Sequence, residues 1–379
     1  MSESEEISGD LIGVYHFPVA TVNLSDVRAL FEPAPGIVYL DTATYGLPPR
    51  PTVETLHQAV DAWQKATANW VEDWDKRGET CRAAYASLTG IPAQNIALVP
   101  SASVGVGVVA ATLTARDEIV IPDDDFPSVL FPMLVAAQSR GATVKQVPLD
   151  DLAEHVTSST TLVVFSLVQS QSGRLAPQRA AIDAAQHAGT RTLVDATHAV
   201  PFVAVDTRAD FVVCAAYKHL LSPRGVAFLS VAPQQWDAVP AWMANWRSTA
   251  TPYAVTYGGP LDQAPGAARF DVSLAWHAWA GAAVSMQLLA DWQARGLLDE
   301  PLALARRLAA QLGLPEPAGS IVSVPVADAD SVRDELASRG VKAAVRAGSV
   351  RLSTHVYNTA ADVEAAVSAL ASARQPVAG

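Results

Sequence analysis

Between residues 37 and 227, short apolar runs alternate with longer amphipathic stretches, the pattern of βαβ units on a largely parallel sheet. Runs at 96–99, 118–122, 143–147, 161–167, 192–196, 211–216 and 226–231 read as strands. Stretches such as 128–140 and 178–188 carry apolar residues at helical spacing. Together they predict an α/β fold, with helices on both faces of the sheet. Beyond 265 a long Ala/Leu-rich helical region leads to an apolar run at 320–326, a helix, a second run at 349–355 and a closing helix over 360–373. That change predicts a smaller α+β domain. The expected organisation is an N-terminal segment over 1–35 packed on the small domain, a large α/β domain over 36–265 and the small domain over 266–379. Residues 233–265 are rich in Pro and Trp, too aromatic for a flexible linker, and read as a lid or an interdomain crossing.

Composition narrows the function. A chain of 379 residues exceeds what one core usually organises and can bury a ligand in a cleft. Its formal charge of −12 argues against nucleic acid or anionic lipid as partner, because clustered Lys and Arg drive such binding. A small molecule or a second copy of the chain is expected instead. Cys81 and Cys214, the only cysteines, make neither a disulfide framework nor a zinc site. The acidic N-terminus lacks the basic and apolar regions of a signal peptide, and no apolar stretch reaches membrane-spanning length, so a cytoplasmic location is expected.

In open α/β sheets ligands bind beyond the carboxyl ends of the strands. The strand ending at Val194 delivers Asp195, Thr197 and His198, and the next delivers Tyr217 and Lys218. A buried carboxylate and amine at one cleft suit pyridoxal 5′-phosphate (PLP), where the acid keeps the pyridine nitrogen protonated and the amine forms the Schiff base. A structural ion pair fits those two residues equally well. After strand 96–99, the turn from Pro100 to Gly107 opens a helix with small and hydroxyl residues, where N–H groups, Ser101 and Ser103 could hold a phosphate; an ordinary serine cap is the alternative. Gly105, Gly107 and Ala110 also match a dinucleotide fingerprint, with Asp123 ending the next strand. Five residues separate Val99 from Gly105, however, which puts the glycines inside the helix and disfavours nicotinamide binding. Phe126 is placed to stack on a planar ring, or to fill core. Arg351, in a strand, suits a substrate carboxylate or a surface salt bridge.

These residues fall in the order of a known family. The segments 39–46 (YLDTATYG), 100–103 (PSAS), 126–128 (FPS), 195–198 (DATH), 217–229 (YKHLLSPRGVAFL) and 350–363 (VRLSTHVYNTAADV) resemble the class V aminotransferase family of fold-type I PLP enzymes. The resemblance implies a large mostly parallel-sheet domain, a smaller α+β domain and a homodimer with active sites near the interface. It makes Lys218 the Schiff-base lysine, Asp195 the partner of the pyridine nitrogen and Phe126 the stacking ring. Ala102, Ser103 and Tyr217 fall at phosphate contacts, His198 at the phenolic oxygen, Arg351 at the substrate carboxylate and Thr44 in the substrate pocket. Three departures stand out: no cysteine follows Cys214, where cysteine desulfurases carry their nucleophile; Asp271-Val272-Ser273 stands where many relatives have Glu-Gly-Thr; Ser170 and Ala215 replace the usual Asn and Ser or Thr. Within the family the chain is most similar to carbon–sulfur lyases, which implies β-elimination from a cysteine conjugate. Transamination or epimerisation are the alternatives, with a nicotinamide-dependent oxidoreductase or a cofactor-free binding protein behind them. Trp242, Trp246, Tyr253 and Tyr257 could offer cation–π contacts to a trimethylammonium substrate or pack an interface.

Overall fold

The computed structural model describes residues 22–254 and 257–373. Residues 1–21 of the expected N-terminal segment lie outside them.

The described chain opens with the short helix α1 (Leu24–Arg28), the strand β1 (Val38–Tyr39) and the helices α2 (Arg50–Gln64) and α3 (Arg77–Thr89). Next come β2 (Ile96–Val99), α4 (Ala102–Ala110), β3 (Glu118–Pro122), α5 (Pro127–Arg140), β4 (Thr143–Val147), β5 (Thr160–Ser166), α6 (Gln178–Ala188), β6 (Arg191–Asp195), β7 (Phe211–Ala215) and β8 (Ala227–Val231). The large sheet has the order β2-β8-β7-β6-β5-β3-β4. It is parallel except for β8, which is antiparallel to both β2 and β7. The central strands β5, β6 and β7 are almost continuously buried because both faces are covered, as a parallel sheet requires.

Alternate residues feed two cores. Val99, Ile121, Val164, Leu193 and Val213 pack with Val106 of α4 and Met133 of α5. Their neighbours Leu98, Val120, Phe165, Val194 and Val212 pack on the other face with Tyr85 of α3 and Ile182 of α6. The helix α7 (Trp276–Ala294) joins this second core through Trp279, Met286 and Trp292.

The remainder comprises α8 (Asp299–Gln311), β9 (Ile321–Pro325), α9 (Ala329–Ser338), β10 (Val341–Lys342), β11 (Ala344–Arg346), β12 (Ser349–Ser353) and α10 (Ala360–Ala373). Strands β11, β12 and β9 form an antiparallel sheet, and β10 pairs with β1. Their core, including Leu308, Val324, Leu336, Leu352 and Val363, is separate from the other two and takes in Leu40. Because α7 packs with the large sheet, we propose a domain boundary after α7 in place of the one expected at 265. Of the N-terminal segment, Val27, Leu30 and Phe31 sink into the large-sheet core, while Arg28 reaches Glu300 and the carbonyl of Asn358. No helix among the described residues is long and apolar enough to cross a membrane.

Candidate active site

The strands β3, β5, β6 and β7 end together, and β2, antiparallel to β8, runs with them. Their carboxyl ends therefore deliver Asp125, Ser166, Asp195, Lys218 and the start of α4 to one edge of the sheet. Lys218 is buried, with Nζ 2.9 Å from His198 Nε2 and 5.1 Å from the centre of the Phe126 ring. Burial lowers its pKa to about 8, with the charge of Asp195 offsetting part of that effect. Among the described residues Lys218 forms no ion pair. The structural salt bridge that was the alternative reading of Lys218 and Asp195 is therefore not formed among the described residues. Close approach shapes the backbone here: a Cβ on Gly46 would lie 2.3 Å from the Lys218 carbonyl oxygen, so only glycine fits without displacement.

Asp195 is buried, and burial raises its pKa against the opposing pull of Thr197 and Lys218. The N–H of Thr197 donates to Asp195 Oδ1 at 2.8 Å, and the Thr197 hydroxyl accepts the Ala215 N–H at 3.0 Å, which ties the loop after β6 to β7. His198 is held neutral, because burial and then Lys218 push its pKa well down. Its Nδ1 lies 3.4 Å from Nε2 of His219, whose ring stacks with that of His355. The N–H of Val356 donates to His355 Nδ1, so the proton of that ring sits on Nε2 and points at the His219 carbonyl, 2.9 Å away.

Phe126 is anchored by Asp125, which pattern reading alone did not single out. The Asp125 carboxylate accepts the N–H of Phe126 at 2.6 Å and that of Ser166 at 2.7 Å, and also bonds the Ser166 hydroxyl. The stacking candidate is thereby fixed to the end of β5, with 36% of its surface exposed. At α4, Ser101 is the cap and accepts the Val104 N–H at 3.3 Å. The N–H groups of Ala102 and Ser103 have no acceptor among the described residues, as the first turn of a helix leaves them. Gly105 and Gly107 lie inside α4, where Gly105 packs against Val213 of β7; they form no pyrophosphate loop. Tyr217 packs on the same core as Ala102, and the Arg224 guanidinium covers its ring at 4.4 Å.

Arg351 is fully buried on β12. It donates to the carbonyl of Ser170 at 2.6 Å, to the Ser170 hydroxyl at 3.2 Å and to Thr44 Oγ1 at 2.8 Å, while its Nε–H has no partner. Ser170, a departure from the family pattern, is thus its direct support. Asp271, another departure, is structural: it binds Arg82 at 2.6 Å and accepts the Leu98 N–H at 2.8 Å. The four aromatics of the crossing do not form one group. Trp246 and Tyr253 pack on each other and on Trp70, whereas Trp242 and Tyr257 are exposed at 72% and 94%.

Similarity to known proteins decides the family: the model for aminotransferase class-V matches residues 38–294, well over half of the chain. The chain belongs to the class V aminotransferase family. A kynureninase of Deinococcus radiodurans is 30% identical over 66% of this chain and 64% of its own length, so the chain spans less than two thirds of that relative. An uncharacterized aminotransferase of Bacillus subtilis is 26% identical over 85% of this chain and 90% of its own. A solved cystine C–S lyase, in complex with its product cysteine persulfide, shares the fold with a TM-score of 0.76 and 19% identity, covering 88% of this chain and 97% of that one.

The cofactor of this class V enzyme is PLP. The residues fit such a group: a buried amine that makes no salt bridge among the described residues, a buried carboxylate whose charge it feels, unpartnered N–H groups at α4 and the partly exposed Phe126 ring.

Proposed function

We propose that the chain is a PLP-dependent carbon–sulfur lyase that cleaves a cysteine-conjugate sulfoxide by β-elimination, most like the hercynylcysteine sulfoxide lyase of ergothioneine biosynthesis. The observation that carries the elimination is the state of the sulfurs. Cys81 and Cys214 are both fully buried, and burial pushes both thiols far above their ordinary pKa. No protein thiolate is available to take sulfur from a substrate, which disfavours a persulfide route, so that in a lyase the sulfur leaves with its organic fragment.

In this reading Lys218 carries the cofactor, Asp195 holds a proton at the pyridine nitrogen, Phe126 covers the ring and His198 bonds the phenolic oxygen. Ala102, Ser103 and Tyr217 hold the phosphate at the N-terminus of α4. When bound, PLP supplies an electron sink for the charge developing at the substrate Cα. Arg351 and Thr44 orient the substrate carboxylate. Burial lowers the Lys218 pKa to about 8, so this amine is far more readily neutral than an ordinary lysine and is suited to take the Cα proton and hold it. The Cβ–S bond then breaks, and the three-carbon remnant hydrolyses to pyruvate and ammonia. A sulfoxide leaves as a sulfenic acid, which two equivalents of an external thiol reduce to the thione, releasing water and the thiol's disulfide. The enzyme is read as a cytoplasmic homodimer acting on a small amino-acid substrate.

The test is a pyruvate assay on purified protein with a panel of cysteine S-conjugates and their sulfoxides. Release of pyruvate in step with the sulfur fragment supports the lyase. Turnover of none of them would overturn it in favour of an aminotransferase or epimerase, a reading favoured by the long match to the Bacillus subtilis aminotransferase.

A further inference from the structure

The hairpin of β11 and β12 brings a second guanidinium to the same spot as Arg351. In its register Ala344 faces Arg351 and Arg346 faces Ser349, so Arg346 and Arg351 lie on one face of the sheet as diagonal neighbours. The turn between them is two residues long, Ala347 and Gly348, both with left-handed φ of 45° and 73°. That geometry matches the twist of a tight hairpin and holds Arg346 in register. One guanidinium nitrogen of Arg346 donates to the Val345 carbonyl at 2.7 Å, and the other donates to Thr44 Oγ1 at 3.2 Å. Thr44 Oγ1 also accepts from Arg351 at 2.8 Å and donates to Asp41 Oδ1 at 2.7 Å.

A single oxygen therefore marks a point that both guanidiniums reach. The charges around it do not balance. Asp41 is the carboxylate of this group, 3.6 Å from Arg351, and two cations face it. The neighbouring charge of Arg346, after burial, helps to bring the Arg351 pKa down to about 10. One anion restores neutrality, and the unpartnered Nε–H of Arg351 leaves a donor for it.

We propose that Arg346 is a second substrate-binding residue, which grips the substrate's α-carboxylate jointly with Arg351 at the point where Thr44 Oγ1 now accepts from both. This rests on the proposed reading of Arg351 as the carboxylate site, but not on the fate of the sulfur. A bound carboxylate takes the place of the Thr44 hydroxyl as acceptor, and Thr44 keeps its bond to Asp41. Arg351 is enclosed and Arg346 is only half-buried, so Arg346 meets an arriving anion first.

The test is calorimetric binding of propionate and of propionamide to the PLP-loaded enzyme, in the native protein and in Arg346→Gln, Arg346→Lys and Arg351→Gln. One propionate per site is expected to bind the native enzyme far better than propionamide does. Arg346→Gln should weaken propionate roughly 10- to 100-fold, the worth of a charge-assisted hydrogen bond. Arg346→Lys should recover part of the loss, since it keeps the charge but not the planar fork. Undiminished propionate affinity in Arg346→Gln overturns the assignment. So does an Arg346→Gln loss seen with glutarate and not with propionate, since Arg346 would then serve a different group of the substrate. If these binding results hold while no conjugate yields pyruvate, the lyase reading fails and the carboxylate grip stands.

Discussion

Two buried groups of ionisable side chains lie in the large domain, and they are built on opposite plans. Arg82 pairs with Asp271 at 2.6 Å and Glu79 at 2.9 Å, and Arg247 joins Asp75, Glu79 at 2.6 Å and Asp271 at 3.5 Å. Tyr253 and Trp276 donate to the Asp75 carboxylate as well, at 2.6 and 3.0 Å. Burial pulls the Arg82 pKa down, but Asp271 and Glu79 more than reverse it, and it ends above its ordinary value. At the cleft the outcome is the reverse. Among the described residues Lys218 has no ion pair, and its pKa falls. Charges that serve only to hold structure are compensated where they sit. A cation left short of partners at a cleft is a candidate for holding a ligand.

Substitutions should separate the two groups. Lys218→Ala is expected to lower pyruvate release by about 10⁴-fold, the upper end of what a positioned proton-transfer group contributes. Its thermal stability without cofactor should not fall, because the change removes an amine whose burial is unfavourable. Arg247→Met should behave in the opposite way, costing about 3–5 kcal/mol of stability in urea unfolding by stranding Asp75. Asp195→Asn should lower kcat about 100-fold with little change in fold. Since Asp195 raises the Lys218 pKa, the same variant should move that pKa below 8.

The smallest effect is on pH dependence. Capture of PLP by the cofactor-free protein needs a neutral amine, so its rate should climb with pH and level off above about 8. The folded pKa of Lys218 lies below the unfolded one, so the unfolded chain holds more protons between the two values. Stability of the cofactor-free protein should therefore rise with pH across that window. Lys218→Ala should flatten the rise, as followed by urea midpoints at several pH values.

Much of this was legible in the sequence because it depends on local order. The strands were visible as apolar runs, and the site candidates follow strand ends, where parallel sheets expose them. The helical placement of Gly105 and Gly107 followed from counting residues after Val99. What stayed hidden depends on contacts between distant segments. Asp125 reads as one of three consecutive aspartates, and only its bonds to Ser166 set it apart. Arg346 lies in a three-residue strand too short to show periodicity, and its meeting with Thr44 spans 302 positions. The helix α7 looked like the start of the small domain because composition changes there; its packing on α2 and α3 is a tertiary fact. Trp246 and Trp242 are near in sequence, yet only the first finds a partner in Trp70.

The central claim is that Lys218 holds the cofactor. Borohydride reduction of the PLP-loaded protein, followed by peptide mapping, tests it most directly. A single modified peptide carrying Lys218, absent from Lys218→Ala, is the expected result. A reduced adduct at one defined lysine in the Lys218→Ala protein would contradict it.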